Sequence, residues 1–166
     1  MGEIRECHRS SEAAFPRLAV TLPTDPSRRR VILVDTNVVS YRYRDDARFE
    51  PFKGSLVGRV PAISFITYAE SLKGAHEAEW PDGKVAKYEA HLRRYYMLVP
   101  ADRDTSATWA KLVAESNAAG IELGCDNDWW IAATALRHEI PLLTNDQGFR
   151  RLPSLTVLPA IDGPFV

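Results

Sequence analysis

The chain has 166 residues, 45% of them hydrophobic, and a formal net charge of −1: enough for one full-sized core, with no global positive field to hold a polyanion. No run approaches the eighteen apolar residues of a membrane helix, and Glu3, Arg5, Glu6, Arg9 and Glu12 interrupt the first stretch, so neither a span nor a secretory leader is expected and a soluble, cytoplasmic protein is. Cys7 and Cys125 form neither a disulfide framework nor a metal-binding pair, and are read as a tail thiol and a small buried side chain.

Residues 1–30 combine Pro16, Pro23 and Pro26 with Arg28, Arg29 and Arg30 and lack a sustained apolar period. They read as a loosely ordered N-terminal extension, which leaves 31–166 as the folded domain. The extension holds six basic and four acidic side chains, so the domain carries 15 basic against 18 acidic ones. A nucleic-acid partner would therefore need local basic patches or bound cations.

From Val31 the pattern alternates between brief apolar runs and helical periods. The reading is a strand over 31–35, short helical turns to about 57, a strand at 60–64, and helices over about 65–79 and 83–94. A strand near 95–99, helices over about 104–118 and 126–139, and strands at 141–144 and 155–158 complete the series. This order predicts an α/β domain, a central parallel sheet covered by helices on both faces.

The strand "VILVD" ends in Asp35. Ligands of open parallel sheets bind beyond the carboxyl ends of the strands, so Asp35 is placed for chemistry, although capping of the next helix accounts for it equally well. In "SFITYAESLKGA" the apolar positions Phe65, Ile66, Ala69 and Leu72 are expected to face the sheet, with Glu70 beside them; an ordinary surface glutamate is the competing reading. "CDNDWWIAATALRHE" is apolar nearly all round and should be buried, with one of Asp126, Asp128 or Asn127 needed to cap its N-terminus and the remaining acid free for another role. "PLLTNDQGF" repeats the first layout, a strand followed by Thr144, Asn145 and Asp146, where an Asx turn is the alternative. Acids at two strand ends and two helix starts would converge on one edge. They repel unless neutralised, and carboxylate oxygens suit Mg²⁺ or Mn²⁺. His8, His76, His91 and His138 follow no zinc spacing.

"LVDTNVVS", "ITYAESLKG", "NDWWIAATAL" and "LLTNDQGF", in this order and spacing, resemble the PIN-domain family, and most closely the VapC-type toxins of bacterial toxin–antitoxin pairs, over about residues 31–159. The resemblance implies a PIN-like three-layer α/β/α fold with an acidic pocket at the C-terminal strand ends. It matches Asp35, Glu70, Asp128 and Asp146 to the family's four catalytic, metal-holding acids, and Thr36, Asn37 and Thr144 to the polar residues beside them; Thr36, Asn37, Thr144 and Asn145 are candidate supporting donors to the carboxylates or the phosphate, with turn stabilisation the competing reading of Asn37 and Asn145. Asp126 falls outside the matched position and is assigned to capping. Gly148 stands before Phe149 where family members often carry a further acid. The implied activity is metal-dependent cleavage of RNA by a metal-activated water. Arg42, Arg44, Lys73, Arg150 and Arg151 are candidate RNA contacts, with solvated surface charge as the plainer account of each. Tyr41, Tyr43 and Tyr68 either stack on bases or pack internally.

A cognate antitoxin and a homodimer are implied as partners, with no membrane. The helix over 108–119 and "KYEAHLRRYY" are candidate surfaces that core packing explains as well. Alternatives are housekeeping RNA processing and a non-cleaving RNA-binding or assembly module. A haloacid-dehalogenase-type phosphatase needs a second Asp where Asn37 stands, and a receiver domain needs a lysine near the last strand, which "LLTND" lacks.

Overall fold

The computed structural model describes residues 30–159. The extension expected over 1–30 lies, but for Arg30, outside the described residues, as does the domain beyond Pro159.

The four residues of β1, Val31–Val34, are all buried, and their alternation sorts them onto two faces. Val31 and Leu33 join one core with Ala62, Leu142 and Trp129, while Ile32 and Val34 join the other with Ile63, Leu143 and Val38. β2 (Val60–Ser64), β3 (Met97–Val99), β4 (Leu142–Leu143) and β5 (Val157–Leu158) complete a five-stranded sheet in the order β3-β2-β1-β4-β5. Every pairing is parallel, with Leu33 beside Ala62 on one side and Leu142 on the other.

Helices cover both faces. The first core is closed by α5 (Arg103–Ala118), through Trp109, Leu112 and Val113, and by α6 (Asp126–His138), through Trp129, Ile131, Ala132 and Ala135. The second is closed by α1 (Thr36–Tyr43), α3 (Phe65–Glu77) and α4 (Asp82–Tyr95), through Val38, Val39, Ala75, Tyr88 and Leu92. A short α2 (Lys53–Leu56) follows a 3₁₀ turn at Ala47–Phe52, and another 3₁₀ turn spans Gln147–Arg151. This is the expected three-layer α/β/α arrangement. Among the described residues no helix is long and apolar enough to cross a membrane.

The chain leaves β1 for β2 and β3 on one side and returns to β4 and β5 on the other. β1 and β4 thus flank the point where the winding reverses, and a crevice opens beyond their carboxyl ends. Asp35 N donates to Leu143 O at 3.0 Å and Thr144 N to Leu158 O at 3.0 Å, so the ladder extends one residue past each strand and sets Asp35 beside Thr144.

α3 presents a different face from the expected one. Its buried residues are Thr67, Ser71 and Ala75, while Ala69 is exposed and Phe65, Ile66 and Leu72 are half-buried. β2 runs into α3 without a loop. Ser64, capping Thr67 N at 3.1 Å and lying 2.9 Å from the Thr67 hydroxyl, fixes the helix so that a small-residue stripe faces inward. Cys125, expected to be buried, is an exposed free thiol at the start of α6.

Candidate active site

Asp35 ends β1 and caps α1 at once: Thr36 N donates to its Oδ1 at 2.6 Å. The carboxylate is 4% exposed. Its Oδ2 accepts from the Thr144 hydroxyl at 2.6 Å and, at the limit of a hydrogen bond, from Asn37 Nδ2 at 3.5 Å. Burial pushes the carboxyl up to about 6; Thr144 and Thr36 oppose this by bonding to the charged form, and the charges of Asp128 and Glu70 reinforce it.

Glu70, on the second turn of α3, is held from two sides. The Thr36 hydroxyl donates to Oε2 at 2.5 Å and Asn127 Nδ2 donates to Oε1 at 2.7 Å. Asn127 is the participant that sequence reasoning missed as a site residue. Its one signal was its place between two acids at the start of a buried helix.

Asp128 is the third residue of α6, and its Oδ2 accepts from Cys125 N at 2.9 Å. The capping expected of Asp126 is performed by Asp128, because the third helical position can reach back to the cap N–H; Asp126 is exposed. Burial and the neighbouring charges of Asp146 and Glu70 raise the Asp128 carboxyl. Asp146 forms the anticipated Asx turn, accepting from Gly148 N at 2.7 Å, and its own N donates to the Thr144 hydroxyl at 2.9 Å. A Cβ at Gly148 would lie 3.1 Å from Asp146 Oδ1, so the glycine leaves that carboxylate room. Thr144 therefore links Asp146 to Asp35. Asn145 is exposed and makes no side-chain hydrogen bond among the described residues.

Asp35, Thr36, Asn37, Glu70, Asn127 and Asp128 line one pocket of 310 Å³, and Asp146 stands outside its lining. Among the described residues no three acids stand close enough to share one metal ion, and Asp128 and Asp146 each accept from a backbone N–H of their own turn. No Lys or Arg forms an ion pair with any of the four acids among the described residues. A buried Asp35 beside half-buried carboxylates, without an ion-paired Lys or Arg among the described residues, suits a hard cation bound by one or two carboxylates and water, which is how Mg²⁺ is usually held.

The expected basic contacts are scattered. Lys73 lines the pocket but is paired with Glu77 at 3.0 Å, and Arg44 lines the adjoining cavity. Arg42 lies over the rings of Tyr95 and Tyr96, at 5.1 and 5.5 Å. Arg150 bonds to Gln147 Oε1 and Pro159 O, and Arg151 is exposed. Tyr41 packs on Phe52 beneath Arg48, and the Tyr68 hydroxyl donates to Glu89 Oε1 at 2.7 Å.

Residues 32–155 match the model of the PIN domain. The chain is 30% identical to ribonuclease VapC4 of Mycobacterium tuberculosis over 130 residues, covering 78% of this chain and 96% of that protein. VapBC2 from Rickettsia felis, in a crystal structure with a DNA fragment from its promoter, is similar in fold at a TM-score of 0.66 and 21% identity, covering 76% of this chain and 96% of that one. VapBC-5 from M. tuberculosis, described as a member of the VapBC family of toxin–antitoxin systems, is similar in fold at a TM-score of 0.55 and 22% identity, covering 77% and 97%. With its acids set at the winding reversal of the sheet and its match running across both β1 and β4, the chain belongs to the PIN-domain family.

Proposed function

We propose that the protein is a metal-dependent endoribonuclease, the toxin of a toxin–antitoxin pair. The observation that carries the reading is a buried Asp35 in one pocket with Glu70 and Asp128, with no Lys or Arg ion-paired to any of them among the described residues. Likeness to ribonuclease VapC4 supports RNA as the substrate, and likeness in fold to a member of a toxin–antitoxin family supports a protein antitoxin as partner. A cytoplasmic location follows from such a substrate. The proposal includes pairing of two copies, for which Val57, Val60, Tyr95 and Leu98 offer exposed apolar surface.

Asp35, Glu70, Asp128 and Asp146 are the carboxylates that would hold Mg²⁺ or Mn²⁺, one or two to an ion with water completing its shell. When bound, such an ion lowers the pKa of a water and offsets charge on the phosphate. Thr36 and Thr144 orient Asp35 and favour its charged form, while Thr36 and Asn127 hold Glu70 toward the same pocket. No side chain acts as nucleophile, so the roles left to the protein are to position carboxylates and admit one phosphodiester.

The test is cleavage of RNA by the purified chain with Mg²⁺ or Mn²⁺, with EDTA, and as Asp35→Asn. EDTA and the variant are each expected to reduce cleavage by more than about a hundredfold, beyond the usual loss from a residue behind a metal ligand. Full activity in either case removes the metal mechanism. Growth arrest on expression, relieved by a small protein encoded alongside, tests the toxin role.

A further inference from the structure

Behind Glu70 the acid pocket meets a second cavity of 120 Å³ between α1, α3 and α4, and Thr36, Glu70 and Gly74 line both. Its wall is aromatic. Tyr43, Trp80 and Tyr88 lie with ring centroids 4.3 to 5.9 Å apart. Tyr88 belongs to the core, whereas Tyr43 and Trp80 are only half-buried. Ser40 and Ser71 also line the cavity. Ser71 Oγ is buried without a hydrogen bond of good geometry, its neighbour being the Tyr88 phenol. Arg44 is exposed at the mouth, makes no ion pair among the described residues, and its charge reaches Tyr88. The Lys84 ammonium lies 3.7 Å from the Trp80 ring centroid and adds a second cation nearby.

We propose that this cavity is a nucleobase subsite: one base next to the scissile phosphate enters it, its ring against Tyr43 and Trp80, its edge toward the Ser40 and Ser71 hydroxyls, and its backbone beneath Arg44. The identity of the strand rests on the ribonuclease reading above. Four features select a base. The volume is on the order of four waters, room for one flat ring. Aromatic faces stack on any base. A buried hydroxyl lacking a good partner is satisfied by the polar edge of a base and left unsatisfied by an aliphatic side chain. Sharing Thr36 and Glu70 with the acid pocket also puts the occupant within one nucleotide of the proposed reaction, and the exposed guanidinium suits a phosphate there.

The experiment is an NMR titration of the full chain with adenosine, guanosine, cytidine and uridine, following the Trp80 indole N–H. Free nucleosides carry no phosphate and therefore need no metal. Gly74→Leu is the blocking variant, since Gly74 lines both cavities and a Cβ there meets no atom within 4 Å, which leaves room for a longer side chain to fill the shared mouth. At least one nucleoside is expected to shift the Trp80 signal, at least tenfold more weakly in Gly74→Leu, with the ranking of the four altered by Ser71→Ala. The proposal is overturned if no nucleoside moves the signal, if Gly74→Leu binds as well as wild type, or if isobutanol, standing in for an aliphatic side chain, outcompetes every nucleoside. The wild-type titration decides the matter by itself if Gly74→Leu fails to fold. Nucleoside binding without RNA cleavage would remove the nuclease reading and leave the base site standing; cleavage without nucleoside binding would remove the base site alone.

Discussion

Asp35→Asn is expected to stabilise the metal-free fold at alkaline pH and to lose that advantage in acid. The Asp35 carboxyl is 4% exposed and pushed up from 3.8 to about 6, first by burial and then by the charges of Asp128 and Glu70. Between these values the native state keeps a proton that the unfolded chain has released. Stability therefore falls as pH rises through this window, and the penalty is complete above about 6. At about 1.4 kcal/mol per tenfold change in proton affinity, the buried charge costs roughly 3 kcal/mol at pH 8. The amide escapes that cost but gives up one acceptor among the bonds from Thr36 N and the Thr144 hydroxyl, at about 1 kcal/mol. A net gain of about 2 kcal/mol remains, which at a urea slope of about 2 kcal/mol per molar moves the midpoint up by about 1 M. Near pH 4 the penalty has shrunk below about 1 kcal/mol, and the two proteins should unfold together. The assay is urea unfolding in EDTA at both pH values. A variant that is less stable than wild type by the same amount at each would show that hydrogen bonding, and not desolvation, governs the site.

Thr144→Val removes the hydroxyl that donates to Asp35 Oδ2 and accepts from Asp146 N, and should cost about 1–3 kcal/mol in urea unfolding while pushing the Asp35 carboxyl further up. Asp128→Asn should bring the Asp35 carboxyl down in a carbon-13 titration, because the Asp128 charge raises it, whereas the same change at exposed Asp126 should leave it in place. Equal effects at the two positions would mean that the structure has the wrong acid facing the pocket. Asn127→Ala releases one oxygen of Glu70 and should lower cleavage by about 10- to 100-fold, in the manner of residues behind metal ligands, with stability reduced by no more than about 3 kcal/mol.

What could be read from the chain alone was whatever a single element announces about its own burial. "VILV" is uniformly apolar because both faces of β1 are covered, "WWIAATAL" is apolar all round because α6 lies against the sheet, and Asp35 follows directly from a buried strand into a helix. These features gave the layers, the helix starts to within a residue or two, and the end of the sheet where polar chemistry collects. Orientation and partnership were decided elsewhere. The inward face of α3 is set by Ser64 and Thr67 at its junction with β2, and so it carries Thr67, Ser71 and Ala75 in place of the larger apolar residues nearby. The bonds that define the site join residues 34, 57 and 109 positions apart, Thr36 to Glu70, Asn127 to Glu70 and Thr144 to Asp35. Periodicity reports how one segment meets its surroundings and carries no record of which distant side chain will stand opposite. Only the packing of α1, α3 and α6 around the ends of β1 and β4 could single out Asn127, give Asp128 the capping duty expected of Asp126, and open an aromatic cavity behind Glu70.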